Sequence, residues 1–177
     1  MLDARLGNAM ADAIRALPPR SAVIVRPRAM GCSHADIRHL CRIAAARRHQ
    51  LWLADVGPLH GYAGRHINRH VRPRKGERTT MAVHDRRQAD QAARRGVEAA
   101  IISPVHPTQS HSEARPLGAR GFARLAARLN VPAIALGGMA AARFARLRQH
   151  GADGWAAIDA WQEMAARRRQ KRNSVPT

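Results

Sequence analysis

Two kinds of apolar pattern alternate along the chain. Short runs of consecutive apolar residues, many of them β-branched, are typical of strands that are buried on both faces, as in a parallel sheet. They predict strands at residues 22–25, 50–54, 79–83, 99–102, 132–136 and 155–158. Each run is separated from the next by a longer polar or amphipathic segment, so the pattern is that of strands joined by crossovers.

The segments between the strands repeat apolar residues at helical spacing. Spacings of 3, 4 and 7 place these residues on one helical face, which would pack on a sheet. The stripes consist of Leu6, Met10, Ala13, Ile14 and Leu17, then Ile37, Leu40, Cys41 and Ala44, then Phe122, Leu125, Ala126 and Leu129, and finally Phe144 and Leu147. Ser33 is placed to cap the second helix, and Gly96 and Gly151 stand where helices should end. Strand and helix in alternation predict an α/β fold with right-handed crossovers.

Two segments depart from this alternation. Residues 65–78 carry no helical stripe and are crowded with positive charge, so we expect at most a short strand at 65–67. Residues 167–177 are basic and polar, and we expect a fraying helix end followed by disorder. No linker rich in Pro, Gly or Ser divides the rest. The predicted organisation is one domain over residues 1–166 with a basic tail at 167–177.

Composition narrows the class of protein. Apolar residues make up 45% of the 177, which excludes a fully disordered chain. No run approaches the roughly 20 apolar residues of a membrane span, and residues 1–8 lack the apolar core of a signal peptide. Cys32 and Cys41 show no metal-binding spacing and favour free thiols in a reducing compartment. We therefore expect a cytoplasmic protein with no membrane partner.

The net charge of +19 raises the question of nucleic-acid binding. Nearly all the basic residues are arginines, a skew that a GC-rich genome produces without selection for binding. They are spread over most predicted helices, and aromatic residues, which would stack on bases, are only 3% of the chain. A nucleic-acid partner is therefore not expected, although a basic nucleic-acid-binding protein stays an alternative.

A double glycine follows the strand at 132–136. Gly137 and Gly138 let the backbone come close to a ligand, and the helix that follows offers free N–H groups to an anion. A similar strand, introduced by Gly151 and Gly154, comes one unit later, and loops after the last two strands of α/β barrels often bind phosphate. The alternative is a simple tight turn between a strand and a helix.

A long polar loop follows the strand at 99–102. Residues 103–112 are rich in hydroxyl groups and contain two prolines that stiffen the backbone. Thr108 and Ser110 are candidates to bind phosphate oxygens, and His111 is a candidate donor. Loops held by a rigid scaffold are where function concentrates. The alternative is a polar surface loop without function.

These motifs together resemble the thiamine phosphate synthase and TenI family. The resemblance runs from Val83-His84-Asp85 to Trp161. It includes Ser-Pro-Val-His-Pro-Thr at 103–108, Pro-Leu-Gly at 116–118, Val-Pro-Ala-Ile-Ala-Leu-Gly-Gly at 131–138 and Gly-Ala-Asp-Gly at 151–154. It implies a (βα)8 TIM barrel. The barrel would be degenerate, because the chain opens about where the family's first strand ends and the fourth βα unit is trimmed.

The resemblance also implies an activity and a set of residues. Family synthases couple an aminopyrimidine methyl diphosphate to a thiazole phosphate and release diphosphate with the help of Mg²⁺. Thr108, Ser110, Gly137 and Gly138 would bind the thiazole phosphate. Arg26 matches a catalytic arginine on the second strand, His111 stands at a loop lysine, and Asp55 matches a metal-binding aspartate.

Several positions depart from the family pattern. Ile24 replaces a glutamine, Arg28 a lysine and Ala82 a serine, while Asp159 stands where a serine near the phosphate is usual. The second metal-binding aspartate should fall near Val71, where no acidic residue occurs. These changes predict weakened activity.

The favoured interpretation is a thiamine phosphate synthase-like protein that binds a phosphorylated thiazole and a pyrimidine diphosphate. A non-catalytic phosphate-binding or regulatory relative is the main alternative. A thiazole tautomerase is a further one, although the catalytic histidine of that subgroup would align with Pro104. The sequence leaves the oligomeric state open.

Overall fold

The computed structural model describes residues 10–54, 61–108 and 113–157. Contacts between Cα atoms divide the chain into two compact units. The first comprises Met1–Gly64 with Ile158–Thr177, and the second comprises Arg65–Ala157. Each is described by itself.

The first unit contains two helices and two parallel strands. In chain order these are α1 (Met10–Ala16), β1 (Ala22–Val25), α2 (His34–Ala46) and β2 (Gln50–Ala54). Ala22 of β1 lies opposite Gln50 of β2, and Val25 lies opposite Leu53. The predicted strands at 22–25 and 50–54 are therefore confirmed at both ends.

Apolar side chains of these four elements form one core cluster. It contains Met10, Ala13, Ile14, Leu17, Val23, Val25, Ile37, Leu40, Ile43, Ala44, Leu51 and Leu53. The predicted cap of α2 is also confirmed. The Ser33 hydroxyl accepts a hydrogen bond from Asp36 N at 3.2 Å, and the Asp36 carboxylate accepts one from Ser33 N at 2.9 Å. Two otherwise unpaired backbone N–H groups are thereby satisfied, which fixes where the helix begins.

The second unit is built on five parallel strands that pair in chain order. Its elements are β3 (Gly64–Ile67), β4 (Thr79–Val83), α3 (Arg86–Arg95), β5 (Ala99–Ile102), α4 (Gly118–Ala126), β6 (Ala133–Leu136), α5 (Ala141–Leu147), a 3₁₀ turn (Arg148–His150) and β7 (Gly154–Ala156). Because all five strands run the same way, the loops after β4, β5 and β6 emerge at one edge of the sheet. Parallel α/β sheets bind their ligands at that edge.

The core of the second unit lies between its sheet and α3 and α4. Met81, Val83, Ala100, Ile102 and Phe122 are at its centre, with Phe122 fully buried. Alternation along the strands leaves Thr80, Ala82 and Ile101 on the opposite face of the sheet.

The apolar pattern of the sequence did not predict helix α3, because its segment carries no apolar stripe. Its buried side chains are Gln88, Ala89 and Ala92, so the helix presents two methyl groups and one amide to the core. Asp85 caps it, accepting a hydrogen bond from Gln88 N at 2.8 Å. Gly96 ends it in the left-handed conformation at φ 58°, as predicted.

The arginine-rich segment is confirmed as irregular. After β3, residues 68–78 contain no helix, which agrees with the predicted trimming of one βα unit. Arg95 of α3 donates a hydrogen bond to Val71 O at 2.8 Å, and Gln91 donates one to Arg69 O at 3.1 Å. These contacts anchor the segment to α3 without a helix of its own.

Some predicted strands begin at a different residue in the structure, and some predicted segments lie outside the described residues. β6 begins at Ala133 rather than Pro132, since proline has no N–H for the ladder. β7 begins at Gly154, one residue earlier than predicted. Ile158, the last residue of that predicted strand, lies outside the described residues, and so do Leu6 and the tail at 167–177. The single domain over residues 1–166 stays a prediction. Within the described residues, no helix is long and apolar enough to cross a membrane.

Candidate phosphate-binding site

The loop after β5 packs directly on the turn after β6. β5 and β6 are adjacent parallel strands, so their carboxyl ends lie side by side. Val105 N donates a hydrogen bond to Leu136 O at 2.9 Å, and His106 N donates one to Gly137 O at 3.1 Å. These two bonds continue the pairing of the strands beyond their ends, so the two segments form one backbone surface.

Gly137 and Gly138 make this packing possible. Both adopt positive φ angles, +97° and +57°. A Cβ on Gly137 would lie 2.9 Å from Pro104 Cα, and a Cβ on Gly138 would lie 2.5 Å from Pro107 O. The sequence suggested that these glycines let the backbone approach a ligand. The structure shows that they let it approach the neighbouring loop, which is an additional reason for glycine at both positions.

Thr108 follows Pro107 directly and is half-buried. A Cβ on Gly138 would meet the Pro107 carbonyl. Because this carbonyl belongs to the peptide bond that joins Pro107 to Thr108, the backbone of Thr108 lies next to the glycine turn. Ser110 and His111 lie outside the described residues. The structure therefore brings three of the predicted residues, Thr108, Gly137 and Gly138, to one edge of the second unit.

Arg143 adds a positive charge that the sequence analysis did not single out. It lies in the first turn of α5, and its Nη1 donates a hydrogen bond to Gly138 O. Burial lowers the pKa of His106, and the positive charge of Arg143 lowers it further. The imidazole of His106 therefore favours its neutral form. The spacing Gly-Gly-x-x-x-x-Arg was the only signal in the sequence, and it becomes meaningful only once the direction of α5 is known.

Both ends of the β5–α4 loop are held. His84 Nδ1 lies 2.8 Å from Ser103 O, and since a carbonyl only accepts, Nδ1 carries the proton. At the far end, Leu117 N donates to Pro104 O and Gly118 N donates to Val105 O, each at 2.9 Å. A loop tied at both ends is suited to positioning a hydroxyl group for binding.

Arg26 belongs to the first unit, directly after β1. It is half-buried, and its Nε is buried with no hydrogen-bond partner among the described residues. Buried donors are nearly always paired, so an orphaned one favours an acceptor that a ligand would supply. Arg47 Nε is buried without a partner in the same way, so the catalytic role of Arg26 stays a prediction.

The predicted metal-binding residue lies outside the described residues, so the metal site stays a prediction. Asp55 lies outside them, as does Asp159. Val71, near which the second acidic ligand would stand, packs partly buried against the apolar core of the second unit. Within the described ranges no group of three His, Cys, Asp or Glu side chains is placed to hold a metal ion.

The other altered positions lie on strands. Val23 and Val25 belong to the core cluster formed with α1 and α2, so the buried Ile24 between them points to the opposite face of β1. Ala82 is half-buried and lies between Met81 and Val83, which belong to the core of the second unit, so it points to the other face of β4. At both positions an apolar side chain replaces one that would donate or accept a hydrogen bond. Arg28 is exposed.

These features define a parallel α/β protein with a candidate anion site at the carboxyl ends of its strands. A family model described as thiamine monophosphate synthase matches residues 67–161. The match covers more than half of the chain, and the chain belongs to this family.

Individual relatives agree with this assignment. A putative thiamine-phosphate synthase 2 from Aquifex aeolicus is 30% identical over 83 residues, which are 47% of this chain and 45% of the relative. The chain thus spans less than half the length of the curated relative it matches.

Solved structures identify the fold. A thiamine phosphate pyrophosphorylase from Pyrococcus furiosus superposes with a TM-score of 0.68 at 16% identity, covering 94% of this chain and 93% of that one. An HpcH/HpaI aldolase from Desulfitobacterium hafniense has a TM-score of 0.58 at 14% identity, covering 95% and 90%. The likeness to the pyrophosphorylase confirms the predicted fold class.

Proposed function

We propose that the protein is a thiamine phosphate synthase-like transferase of thiamine biosynthesis. It would couple an aminopyrimidine methyl diphosphate to a thiazole phosphate and release diphosphate. The observation that carries the proposal is the joint surface of the β5–α4 loop and the Gly137–Gly138 turn, which has Thr108 and Arg143 beside it. Membership of the family supports the same activity, and a cytoplasmic location fits it.

The thiazole phosphate would bind at this joint surface. Thr108 and Ser110 offer hydroxyl donors, and the glycine turn offers backbone that carries no side chain of its own. Arg143 supplies a guanidinium, which binds phosphate with two parallel hydrogen bonds. Holding the thiazole by its phosphate would orient its ring nitrogen toward the pyrimidine methyl carbon, which is the main contribution a protein makes to such a reaction.

The diphosphate end would depend on Arg26 and His111. In the reaction, the bond between the methyl carbon and the diphosphate oxygen breaks, and its electron pair leaves with the diphosphate. The lone pair of the thiazole nitrogen then forms the new carbon–nitrogen bond. Cationic donors at the leaving group stabilise the negative charge that develops there. The orphaned Arg26 Nε is a donor of this kind.

A magnesium ion would neutralise the diphosphate when bound. No acidic residue occurs near Val71, where the family's second metal-binding aspartate would fall, so we propose that Asp55 is the only acidic ligand from the family's set. Mg²⁺ prefers oxygen ligands and keeps several waters when a protein supplies few. The substrate diphosphate would therefore have to supply the remaining oxygens.

We expect Mg²⁺ alone to bind weakly and its affinity to rise when diphosphate is present. Calorimetric titration of the full chain with and without diphosphate measures this directly. Asp55→Asn should remove the metal-dependent part of diphosphate binding. Tight binding of Mg²⁺ without diphosphate would show that the ligand set is larger than Asp55.

Complementation of a thiamine auxotroph tests the proposed reaction in cells. Growth that depends on Thr108 and Arg143 would support a synthase. The buried Ile24 and half-buried Ala82, each apolar where the family is polar, favour one alternative, a non-catalytic binding relative. That alternative predicts no growth, together with thermal protection of the purified protein by thiazole phosphate. We do not propose the tautomerase, because Pro104 replaces its histidine.

A further inference from the structure

A groove of about 670 Å³ lies in the second unit, beside the first turn of α3 and along α4. It is lined by the turn between β4 and α3, by the end of the β5–α4 loop and by one face of α4. None of the residues assigned above to phosphate or metal binding is among its lining residues. The volume is in the range of sites that bind small molecules.

The rim of the groove is strongly positive. Four arginines line it, against a single acidic residue, Asp85. Both carboxylate oxygens of Asp85 accept hydrogen bonds from Gln88, at 2.8 and 2.9 Å, so this carboxylate caps α3. A cluster of one charge sign in a concave surface raises the local concentration of ions of the opposite sign.

Most of these arginines are available to a ligand. Arg128 pairs with Asp90 at 2.6 Å, which links α3 to α4. Arg86, Arg115 and Arg124 are exposed, and none of them forms a salt bridge in the part of the chain that the structure describes. Arg86 only helps to lower the pKa of Asp90 through its charge, and Arg124 Nε donates a long hydrogen bond of 3.4 Å to Arg120 O. Three guanidinium groups can bind more than one phosphate oxygen each.

The floor of the groove is apolar. Leu125 is buried, Leu117 is half-buried, and Pro116 precedes it at the entrance to α4. A Cβ on Gly121 would lie 3.0 Å from Leu117 Cβ, so glycine keeps this part of the floor open. An inorganic anion would leave Pro116 and Leu117 uncovered, whereas a flat ring would cover them.

We propose that this groove is a second anion site, which binds an organic diphosphate with a planar body, of the size of a nucleoside diphosphate. Arg86, Arg115 and Arg124 bind its phosphates, and Pro116 and Leu117 pack against its ring. His84 and Leu117 also hydrogen-bond to the β5–α4 loop at Ser103 and Pro104. A ligand in the groove therefore stabilises the base of the loop that carries Thr108.

Calorimetric titration of the full chain with ADP tests the proposal. Wild type is compared with Arg115→Gln/Arg124→Gln. The matched control is Arg94→Gln/Arg146→Gln, which removes the same charge from exposed residues of α3 and α5 outside the groove. We expect the groove variant to bind ADP at least about tenfold more weakly, because each lost bond to a charged group weakens binding by about that factor or more. The control should stay within about twofold of wild type by the same conversion, and thermal melts should show that all variants fold.

A further variant separates this groove from the proposed thiazole phosphate site. Arg143→Gln should leave ADP binding unchanged while weakening binding of thiazole phosphate. Loss of ADP binding in Arg143→Gln with no loss in the groove variant would overturn the proposal. Two other titration results would also overturn it: inorganic diphosphate that binds as tightly as ADP, or no binding of ADP at millimolar concentration. A third is that single-stranded RNA, and not ADP, binds in the groove.

Discussion

Replacing Gly138 with aspartate is expected to abolish the stabilisation that thiazole phosphate gives the protein. Ligand at 100 times its Kd should add about 2.7 kcal/mol to the free energy of unfolding of wild type. In the variant, Cβ would lie 2.5 Å from Pro107 O and 2.9 Å from His106 Cβ, so the loop that carries Thr108 must move. The new carboxylate would also repel a phosphate. Chemical denaturation with and without ligand measures both effects.

Gly96 provides the control for backbone strain. Its φ of +58° nearly equals the +57° of Gly138, yet a Cβ there would meet no atom within 4 Å. Gly96→Asp should therefore cost only the left-handed strain, about 1–2 kcal/mol, and keep full protection by the ligand. Gly138→Asp should cost about 1–3 kcal/mol more, because it also overpacks the loop. Equal protection of both variants would remove Gly138 from the site.

The strands could be read from the sequence because they are buried on both faces. A run such as Ala99–Ile102 is apolar at every position, so neither register nor tertiary context is needed to recognise it. Helix α3 is the opposite case. Arginines and polar residues fill most of Arg86–Arg95, and the side chains that reach the core are Gln88, Ala89 and Ala92. Two methyl groups bury too little area to give a visible apolar stripe, so Gly96, where a helix should end, was the only predicted sign of this helix.

The candidate site likewise contains residues that the sequence could predict and residues that it could not. Gly137 and Gly138 were predictable because a double glycine after a buried strand is a local signal. Their contact with the Pro104–Pro107 backbone was not, since it joins segments more than 30 residues apart and depends on the pairing of β5 with β6. The role of Arg143 depends in turn on where α5 starts. The groove arginines come from two separated segments, so no sequence motif marks them.

The proposed synthase reaction is expected to run about 10²–10⁴-fold more slowly than in an ordinary family member. Four positions motivate this expectation: Ile24, Ala82, His111 and the missing acid near Val71. Losing one hydrogen bond to a charged group costs roughly 1.5–3 kcal/mol. Two such losses, fully expressed in the transition state, give roughly 3–6 kcal/mol and hence that reduction in rate.

The described positions support the size of this effect. Ile24 is 7% exposed, so water has little access to replace the missing amide. Val71 packs against the apolar core of the second unit, so a carboxylate at this position would be partly desolvated and would require the segment to rearrange. An unperturbed histidine has a pKa of about 6.5, so near neutral pH it is a weaker partner for diphosphate than lysine. Steady-state measurement of diphosphate release with both substrates gives kcat/KM.

Restoring the family residues tests the cause of the slow reaction. Ile24→Gln with Ala82→Ser should raise kcat/KM at least about tenfold, since each change returns a hydrogen bond in the transition state. Val23→Ile, on the helix-facing side of the same strand, controls for a general change in packing and should leave the rate unchanged. One outcome would contradict the prediction: a wild-type kcat/KM within tenfold of an ordinary synthase. That result would mean that other cations have replaced the lost partners. The exposed arginines at 69, 72 and 74 would then be the first to substitute, because guanidinium groups bind diphosphate as well as lysine does.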